Sequence, residues 1–362
     1  MSNLSRQILV SKRPFVIAGP CSAESEEQVM NISKEIVKNK GVQMLRAGIW
    51  KPRTRPDSFE GIGEKALEWL VAAGKQTGLL SCTEVANERH VALALNAGVD
   101  ALWLGARTTV NPFTVQEIAE ALEGVDIPVM IKNPINPDLK LWLGAFERFE
   151  KLGITDLIGI HRGFSVYNHP KYRNVPSWEI PIRLKEVRPQ IPIICDPSHI
   201  TGNKNLLSEV SQKAMDLNFE GLMIETHINP SQAMSDAAQQ VTPDKLTSIL
   251  DLLVLRDHEV SSNVASLIND LRDKLNTLDD RLFDILSERM KMSEQVGTLK
   301  RENNITILQQ EHWRNVISSR LDNSDEYGLT PIFVRKLMDA IHQESIRHQT
   351  AVMNPEKSKA HE

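Results

Sequence analysis

Along the first two thirds of the chain a short β-branched or apolar run is followed, again and again, by a stretch with apolar residues at helical spacing. Eight such runs occur: Pro14–Gly19, Val42–Gly48, Leu79–Val85, Ala101–Ala106, Pro128–Asn133, Asp156–Gly163, Pro192–His199 and Gly221–His227. Segments between them, such as Glu26–Lys38 and Gly63–Thr77, have a helical apolar face, so each strand is expected to lead into a crossover helix. Eight βα units over about 250 residues predict a (β/α)8 TIM barrel, with a doubly wound open sheet as the alternative. The runs end in charged or thiol residues: Cys21, Arg46, Glu84, Arg107, Lys132, Arg162, His199 and Glu225. A parallel barrel would open all of these ends on one face, and that convergence favours it.

After Gln240 the alternation stops. Thr242-Pro243-Asp244 reads as a helix start, and Lys245–Val254 would be the last barrel helix. From Asn263 to about Glu302 the positions 264, 268, 271, 275, 278, 282, 285, 289, 292, 296 and 299 follow a three-four spacing, and ten of these eleven are Val, Ile, Leu or Met. That pattern predicts one long helix packed along its length against other helices. Shorter helical patterns follow at Gln309–Leu321 and Pro331–Gln349. The expected plan is therefore a barrel over residues 1–255, a polar linker at 256–262, an all-α domain at 263–352 and a polar tail at 353–362.

Composition narrows the function classes. With 362 residues, 41% hydrophobic and 25% charged, the chain has ordinary globular usage and no apolar run of membrane-spanning length. A net charge of −5 gives no general field for polyanions, so nucleic acid is not an expected partner. The three cysteines, Cys21, Cys82 and Cys195, are far apart and odd in number, and Met-Ser-Asn-Leu-Ser-Arg lacks a signal-peptide core. A reduced, cytoplasmic protein with no membrane association is expected.

On the barrel, Cys21 is joined by His199 in Asp-Pro-Ser-His, Glu225 in Ile-Glu-Thr-His and Asp236 in Met-Ser-Asp. A thiolate, an imidazole and two carboxylates suit a divalent first-row metal such as Mn, Fe, Co or Zn better than Mg or Ca. Arg46, Lys51, Arg53, Arg107, Lys132 and Arg162 would converge beside them. So many cations imply one doubly phosphorylated ligand or two phosphorylated substrates.

Gly-Pro-Cys-Ser, Lys-Pro-Arg-Thr, Gly-Ala-Arg, His-Arg-Gly and Asp-Pro-Ser-His, with the late Glu and Asp, run in this order over residues 14–250. They resemble the type I 3-deoxy-D-arabino-heptulosonate 7-phosphate (DAHP) synthases, particularly the shorter β subgroup. The resemblance implies condensation of phosphoenolpyruvate with erythrose 4-phosphate, the first step of the shikimate pathway. It further implies metal ligation by Cys21, His199, Glu225 and Asp236, and phosphoenolpyruvate binding by Arg46, Lys51, Arg107, Lys132 and Arg162. Arg53 and Thr54 would bind the erythrose phosphate, and Lys51 would protonate the new alkoxide. Pro134 and Ala237 depart from the family pattern at positions that shape loops. A sister enzyme acting on arabinose 5-phosphate has Lys-Ala-Asn-Arg-Ser where this chain has Lys-Pro-Arg-Thr, so the four-carbon sugar is expected. A class II aldolase, the third reading, would need no phosphoenolpyruvate.

In the helical region Arg289 interrupts an apolar seam, where a charge is costly unless paired. Glu288 and Asp284 point to other faces. Lys300, eleven residues on, lies on the same face about 16 Å away, so the two cations could grip one small dianion. Leu-Arg-Asp-Lys-Leu-Asn-Thr-Leu-Asp, Ser-Glu-Arg, Val-Gly-Thr-Leu-Lys and Glu-Ser-Ile-Arg-His-Gln resemble the all-helical chorismate mutases. That family forms intertwined dimers and converts chorismate to prephenate without a cofactor. The resemblance implies a site lined by Arg289, Lys300, Ser345, Gln349 and Arg272 of the partner subunit. Lys300 and Gln349 would donate to the ether oxygen of chorismate. Gln309, His312 and Trp313 stand where the family generally has Asp, Arg and Glu. The leading expectation is a bifunctional enzyme, a homodimer through the helical domain or a higher assembly, under feedback control through that domain. A monofunctional synthase with a non-catalytic helical module for regulation and dimerisation is the alternative.

Overall fold

A computed structural model describes residues 3–11, 13–51, 59–256 and 262–354, which divide into two compact units, 1–256 and 257–362. In the first, eight strands pair in parallel in sequence order and close into a barrel, with Phe15 to Gly19 registered against Gly221 to Glu225. They are β1 (Phe15–Gly19), β2 (Val42–Arg46), β3 (Leu80–Val85), β4 (Ala101–Leu104), β5 (Val129–Lys132), β6 (Leu157–His161), β7 (Ile193–Cys195) and β8 (Gly221–Glu225). The eight expected runs thus all become strands, and the open sheet is excluded. The expected linker and tail fall largely outside the described residues, at 257–261 and 355–362, as do Arg53 and Thr54.

A seven-residue helix that the sequence pattern did not announce, α1 (Leu4–Val10), precedes β1. The Asp156 carboxylate accepts from Leu4 N at 2.8 Å and Ser5 N at 2.7 Å, and Leu4 and Ile8 join the barrel interior. Around the barrel follow α2 (Glu26–Ile36), α3 (Lys65–Thr77), α4 (Glu88–Ala97), α5 (Ala106–Thr109), α6 (Pro112–Glu120) and α7 (Leu139–Lys151). Then come α8 (Glu179–Val187), α9 (Pro197–Thr201), α10 (Leu207–Asp216) and α11 (Pro243–Asp251). The last begins as expected, with Pro243 in its first turn and the Thr242 side chain accepting from Lys245 N.

Strand periodicity of two sorts the barrel side chains. Ile17, Met44, Cys82, Trp103, Met130, Ile160, Ile194 and Met223 fill the interior, while neighbours such as Val16, Leu102, Leu157 and Leu222 pack against the helices. Gly19, at φ +144°, permits β1 to approach β2: a Cβ there would lie 2.1 Å from Arg46 O.

The second unit contains α12 (Ser262–Glu302), α13 (Gln310–Asp322) and α14 (Pro331–Met353). Within the chain α12 packs on α14 through Met290, Gly297 and Lys300, while Arg289, Met292 and Val296 of the expected seam line a cavity shared with α13 and α14; Gly297 lets the backbones close, since a Cβ would lie 3.1 Å from Gln349 Cα. The seam itself, Leu271, Leu275, Leu278, Leu282, Ile285, Met292, Val296 and Leu299, is 43% to 63% exposed. Among the described residues no helix is long and apolar enough to cross a membrane.

Candidate functional site

The interior alternation continues one step past the apolar layer and sets the chemistry. Two residues beyond Met44, Cys82, Met130, Ile160, Ile194 and Met223 stand Arg46, Glu84, Lys132, Arg162, Asp196 and Glu225. A cavity of about 400 Å³ opens above this layer, lined among others by Lys51, Glu84, Arg107, Lys132, Arg162, Arg173, His199 and Asp236.

Three of the four expected metal ligands meet there. One donor atom each from Cys21, Glu225 and Asp236 lies within 4.8 Å of the others. Cys21 Sγ is 3.5 Å from Asp236 Oδ2. His199 falls outside that trio but borders it, with Nε2 3.7 Å from Glu225 Oε1 and Nδ1 2.7 Å from Asp196 Oδ2. Asp196 also pairs with Lys132 at 3.0 Å, so one buried carboxylate orients both a candidate ligand and a candidate substrate-binding cation. Sequence reasoning missed this residue, although counting by twos from Ile194 leads directly to it. It also missed Arg173, which pairs with Asp236 at 3.2 Å from a loop no periodicity marks.

Burial, with Glu225, pushes the Cys21 thiol up to about 12. Burial also works to raise the Glu225 carboxyl, but His199, Arg46 and Lys51 hold it below its ordinary value. Burial likewise opposes charge on Lys51, yet Cys21 and Glu225 keep it above its ordinary value; its Nζ is 3.0 Å from Cys21 Sγ and 3.1 Å from Cys21 O. The donor set therefore fits a divalent transition metal, whose charge would offset the cost of a buried thiolate beside two carboxylates.

The cations are poised for an anion. Arg46, 1% exposed, pairs with Glu225 at 3.1 Å and lies 4.9 Å over the Trp103 ring, yet its Nε and Nη1 find no hydrogen-bond acceptor among the described residues. Arg162 Nη1 donates to Asn174 Oδ1 at 2.7 Å. Burial makes its charge harder to hold, and Arg173 and Arg107 add to that against the opposing pull of Asp196. A bound phosphate or carboxylate would relieve this repulsion.

The helical unit holds a cavity of about 310 Å³ lined by Arg289, Lys300, Ser345 and Gln349, together with Gln309, His312, Trp313 and His342. Arg289 Nη1 donates to Ser345 Oγ, not to a carboxylate. Lys300 Nζ donates to Ile307 O at 2.7 Å and Gln349 Oε1 at 3.1 Å. The Trp313 and His342 rings stack with centroids 3.8 Å apart; His342 carried no signal in the sequence pattern. Arg272 is exposed, bonds Asn269 Oδ1 at 3.3 Å, and does not line the cavity of its own chain.

Fold and sites together define the class: the chain belongs to the DAHP synthetase I family, whose model matches residues 8–261. Residues 271–350 match the model of chorismate mutase type II, so the two domains are fused in one chain. Among curated proteins it is similar to the phospho-2-dehydro-3-deoxyheptonate aldolase of Thermotoga maritima, 31% identical over 226 residues. That match covers 62% of this chain and 64% of the relative's length. It is also similar to the 2-dehydro-3-deoxyphosphooctonate aldolase of Polaromonas naphthalenivorans, at 26% identity over 69% of this chain and 92% of that one. The crystal structure of the Thermotoga maritima DAHP synthase aligns with a TM-score of 0.59 and 29% identity, over 66% of this chain and 67% of that one. A truncated form of the Thermotoga maritima synthase aligns at 0.58 with 26% identity, over 66% and 84%.

Proposed function

We propose that the chain is a bifunctional enzyme of the shikimate pathway: the barrel, of the β subgroup, condenses phosphoenolpyruvate with erythrose 4-phosphate, and the helical domain rearranges chorismate to prephenate. The observation that carries the first activity is the set of Lys51, Arg107, Lys132 and Arg162 lining one cavity beside the Cys21, Glu225 and Asp236 cluster, with Arg46 paired to Glu225. These cations hold the phosphate and carboxylate of phosphoenolpyruvate and bring its C3 to the aldehyde of the second substrate. Arg53 and Thr54 receive the sugar phosphate. Cys21, His199, Glu225 and Asp236 would hold a divalent Mn, Fe, Co or Zn ion, which would supply Lewis-acid polarisation of that aldehyde. C3 forms the new carbon–carbon bond, Lys51 delivers a proton to the former aldehyde oxygen, and water adds at C2 before phosphate departs. The motif Lys-Pro-Arg-Thr supports the four-carbon sugar over the substrate of the octonate enzymes.

In the helical cavity Arg289 and Lys300 grip the two carboxylates of chorismate, and Lys300 and Gln349 stabilise the ether oxygen as charge develops on it. The exposed seam of α12 supports a homodimer in which Arg272 of the partner subunit completes the site. Covering its six half-exposed side chains outside that cavity, Leu271, Leu275, Leu278, Leu282, Ile285 and Leu299, contributes of order 6 kcal/mol per chain, at about 1 kcal/mol each. Three free, buried cysteines support a reduced, cytoplasmic setting. Feedback on the barrel by prephenate bound to the helical domain completes the proposal. The second reading, a non-catalytic helical module, draws on Gln309, His312 and Trp313 in place of the family's Asp, Arg and Glu. One experiment tests all of this: both reactions assayed on the full chain, with and without chelator. Loss of the condensation alone supports two separate sites, and absence of chorismate turnover favours the second reading.

A further inference from the structure

Two adjacent glutamines on the barrel, Gln239 and Gln240, are 1% and 0% exposed, and their side-chain hydrogen bonds all lead to the segments that carry Cys21, Glu225 and Asp236. Gln240 Oε1 accepts from Cys21 N at 3.0 Å, and Gln240 Nε2 donates to Ser235 O at 2.8 Å. Gln239 Nε2 donates to Glu225 Oε2 at 2.7 Å, and Gln239 Oε1 accepts from Arg173 Nη1 at 2.7 Å. These partners fix which end of each amide is which, because a backbone N–H and a guanidinium only donate, whereas a carbonyl and a carboxylate accept. The next residue, Val241, bonds Glu225 O through its N–H and His227 N through its carbonyl, so the pair is anchored to the end of β8.

The consequence lies in which oxygens remain. Arg173 Nη1 also holds Asp236 Oδ1 at 3.2 Å, so Arg173 and Gln239 bond each other and take one oxygen from each carboxylate. The other oxygens face the remaining ligands. Asp236 Oδ2 lies 3.5 Å from Cys21 Sγ. Glu225 Oε1 accepts no hydrogen bond among the described residues, with Arg46 Nη2 at 3.1 Å and His199 Nε2 at 3.7 Å. Asp236 needs such holding, since its backbone sits at φ +45°, in the left-handed region.

We infer that Gln239 and Arg173 form a clamp that offers the metal one oxygen from each carboxylate, while Gln240 ties together the two segments that bear Cys21 and Asp236. None of the three is a ligand; they are positioning residues that hold the site assembled before an ion arrives. Single-oxygen donors also leave a coordination position open to a substrate oxygen. The inference rests on the metal site proposed above and deepens it.

Cobalt(II) serves as the probe on the full chain stripped with chelator. A Cys21 thiolate bound to it gives a near-ultraviolet charge-transfer band, and its visible bands weaken as the coordination number rises. Gln239→Met keeps the length of the side chain and removes both hydrogen bonds. It should bind cobalt about 10- to 100-fold more weakly, with weaker visible bands per bound ion as the freed Glu225 oxygen joins the metal. Arg173→Met, at a half-exposed position, frees Asp236 Oδ1 and should weaken the visible bands in the same way, which keeps the test open whether or not Gln239→Met folds. Gln43→Met removes a different glutamine bond of the barrel, from Val16 N at 2.7 Å near the start of β2, and should leave both cobalt affinity and bands as in the native chain. Circular dichroism of the metal-free chains checks folding. Native visible bands in both Arg173→Met and a folded Gln239→Met overturn the inference, and so does native affinity in the latter. Equal weakening in Gln43→Met also overturns it, since the barrel would then be loosened generally. A charge-transfer band that is missing from the native chain, or that survives in Cys21→Ser, refutes the metal site itself and the clamp with it.

Discussion

Arg272 and Arg289 lie seventeen residues apart on α12, about 25 Å along its axis. Arg289 lines the cavity of its own chain, whereas Arg272 is exposed and turned to Asn269. If each mutase site draws Arg289 from one subunit and Arg272 from the other, the two substitutions Arg272→Ala and Arg289→Ala should complement one another. Each homodimer alone loses a charge-assisted contact to a carboxylate at both sites, about 2–4 kcal/mol of transition-state stabilisation, or 30- to 1,000-fold in turnover. In a heterodimer one site carries both substitutions and the other carries neither. Coexpression at equal levels with random pairing makes half the dimers mixed, each with one intact site, so about a quarter of all sites are restored. Differently tagged chains, purified through both tags, should raise this to about half. The readout is the loss of chorismate absorbance, with the barrel reaction as a control that neither change touches. Recovery no better than the single variants in verified heterodimers would refute the shared site, and so would full activity in Arg272→Ala alone.

Chelation, or Cys21→Ser, should abolish the condensation and leave chorismate turnover intact; equal loss of both would contradict two separate sites. Asp196→Asn strips the partner from buried Lys132 and His199 at once, so thermal unfolding of the barrel should shift by about 3–5 kcal/mol, and an unchanged midpoint counts against the bridge. His161 is fully buried among Phe164, Trp178 and Phe219, and burial, helped by Arg162, lowers its pKa to about 3. The unfolded chain therefore binds a proton below about pH 6.5 that the folded barrel refuses, so stability falls with pH, by about 2 kcal/mol at pH 5. Urea titrations at pH 7 and pH 5 should show that loss in the native chain and a smaller one in His161→Leu; identical slopes would mean the group titrates normally. Prephenate should inhibit the condensation in the full chain and not in a chain ending at Leu255, and equal inhibition in both would place the control site on the barrel.

The barrel was legible because its strands are buried on both faces and so read as apolar runs, each closed by a residue of contrasting chemistry. Most of its site was legible for the same reason, since Arg46, Lys132, Arg162 and Glu225 continue the interior alternation one step past its apolar layer. Asp196 was overlooked because the eye stops at the imidazole of His199, three residues on, although only Asp196 has the parity of an inward-facing side chain. His342 and Arg173 come from a helix face and a loop whose partners are remote in sequence, so nothing local marks them. In the helical domain the apolar stripe was read correctly as a stripe, but its period cannot say whether the opposing surface belongs to the same chain. The structure answers that question with a different face, at Met290, Gly297 and Lys300, left to pack on α14.

Helix α1 imposes an order on the birth of the molecule. It is synthesised before any strand of the barrel, but the carboxylate that clasps its amino end belongs to Asp156, 152 residues downstream of Leu4. Seven residues cannot hold a helix in water unaided. At about 5–20 residues per second, the segment waits roughly 8–30 s before its clasp is made. Leu4 and Ile8 cannot be fixed in place through that interval, and they seal the barrel floor only after more than half of its strands exist.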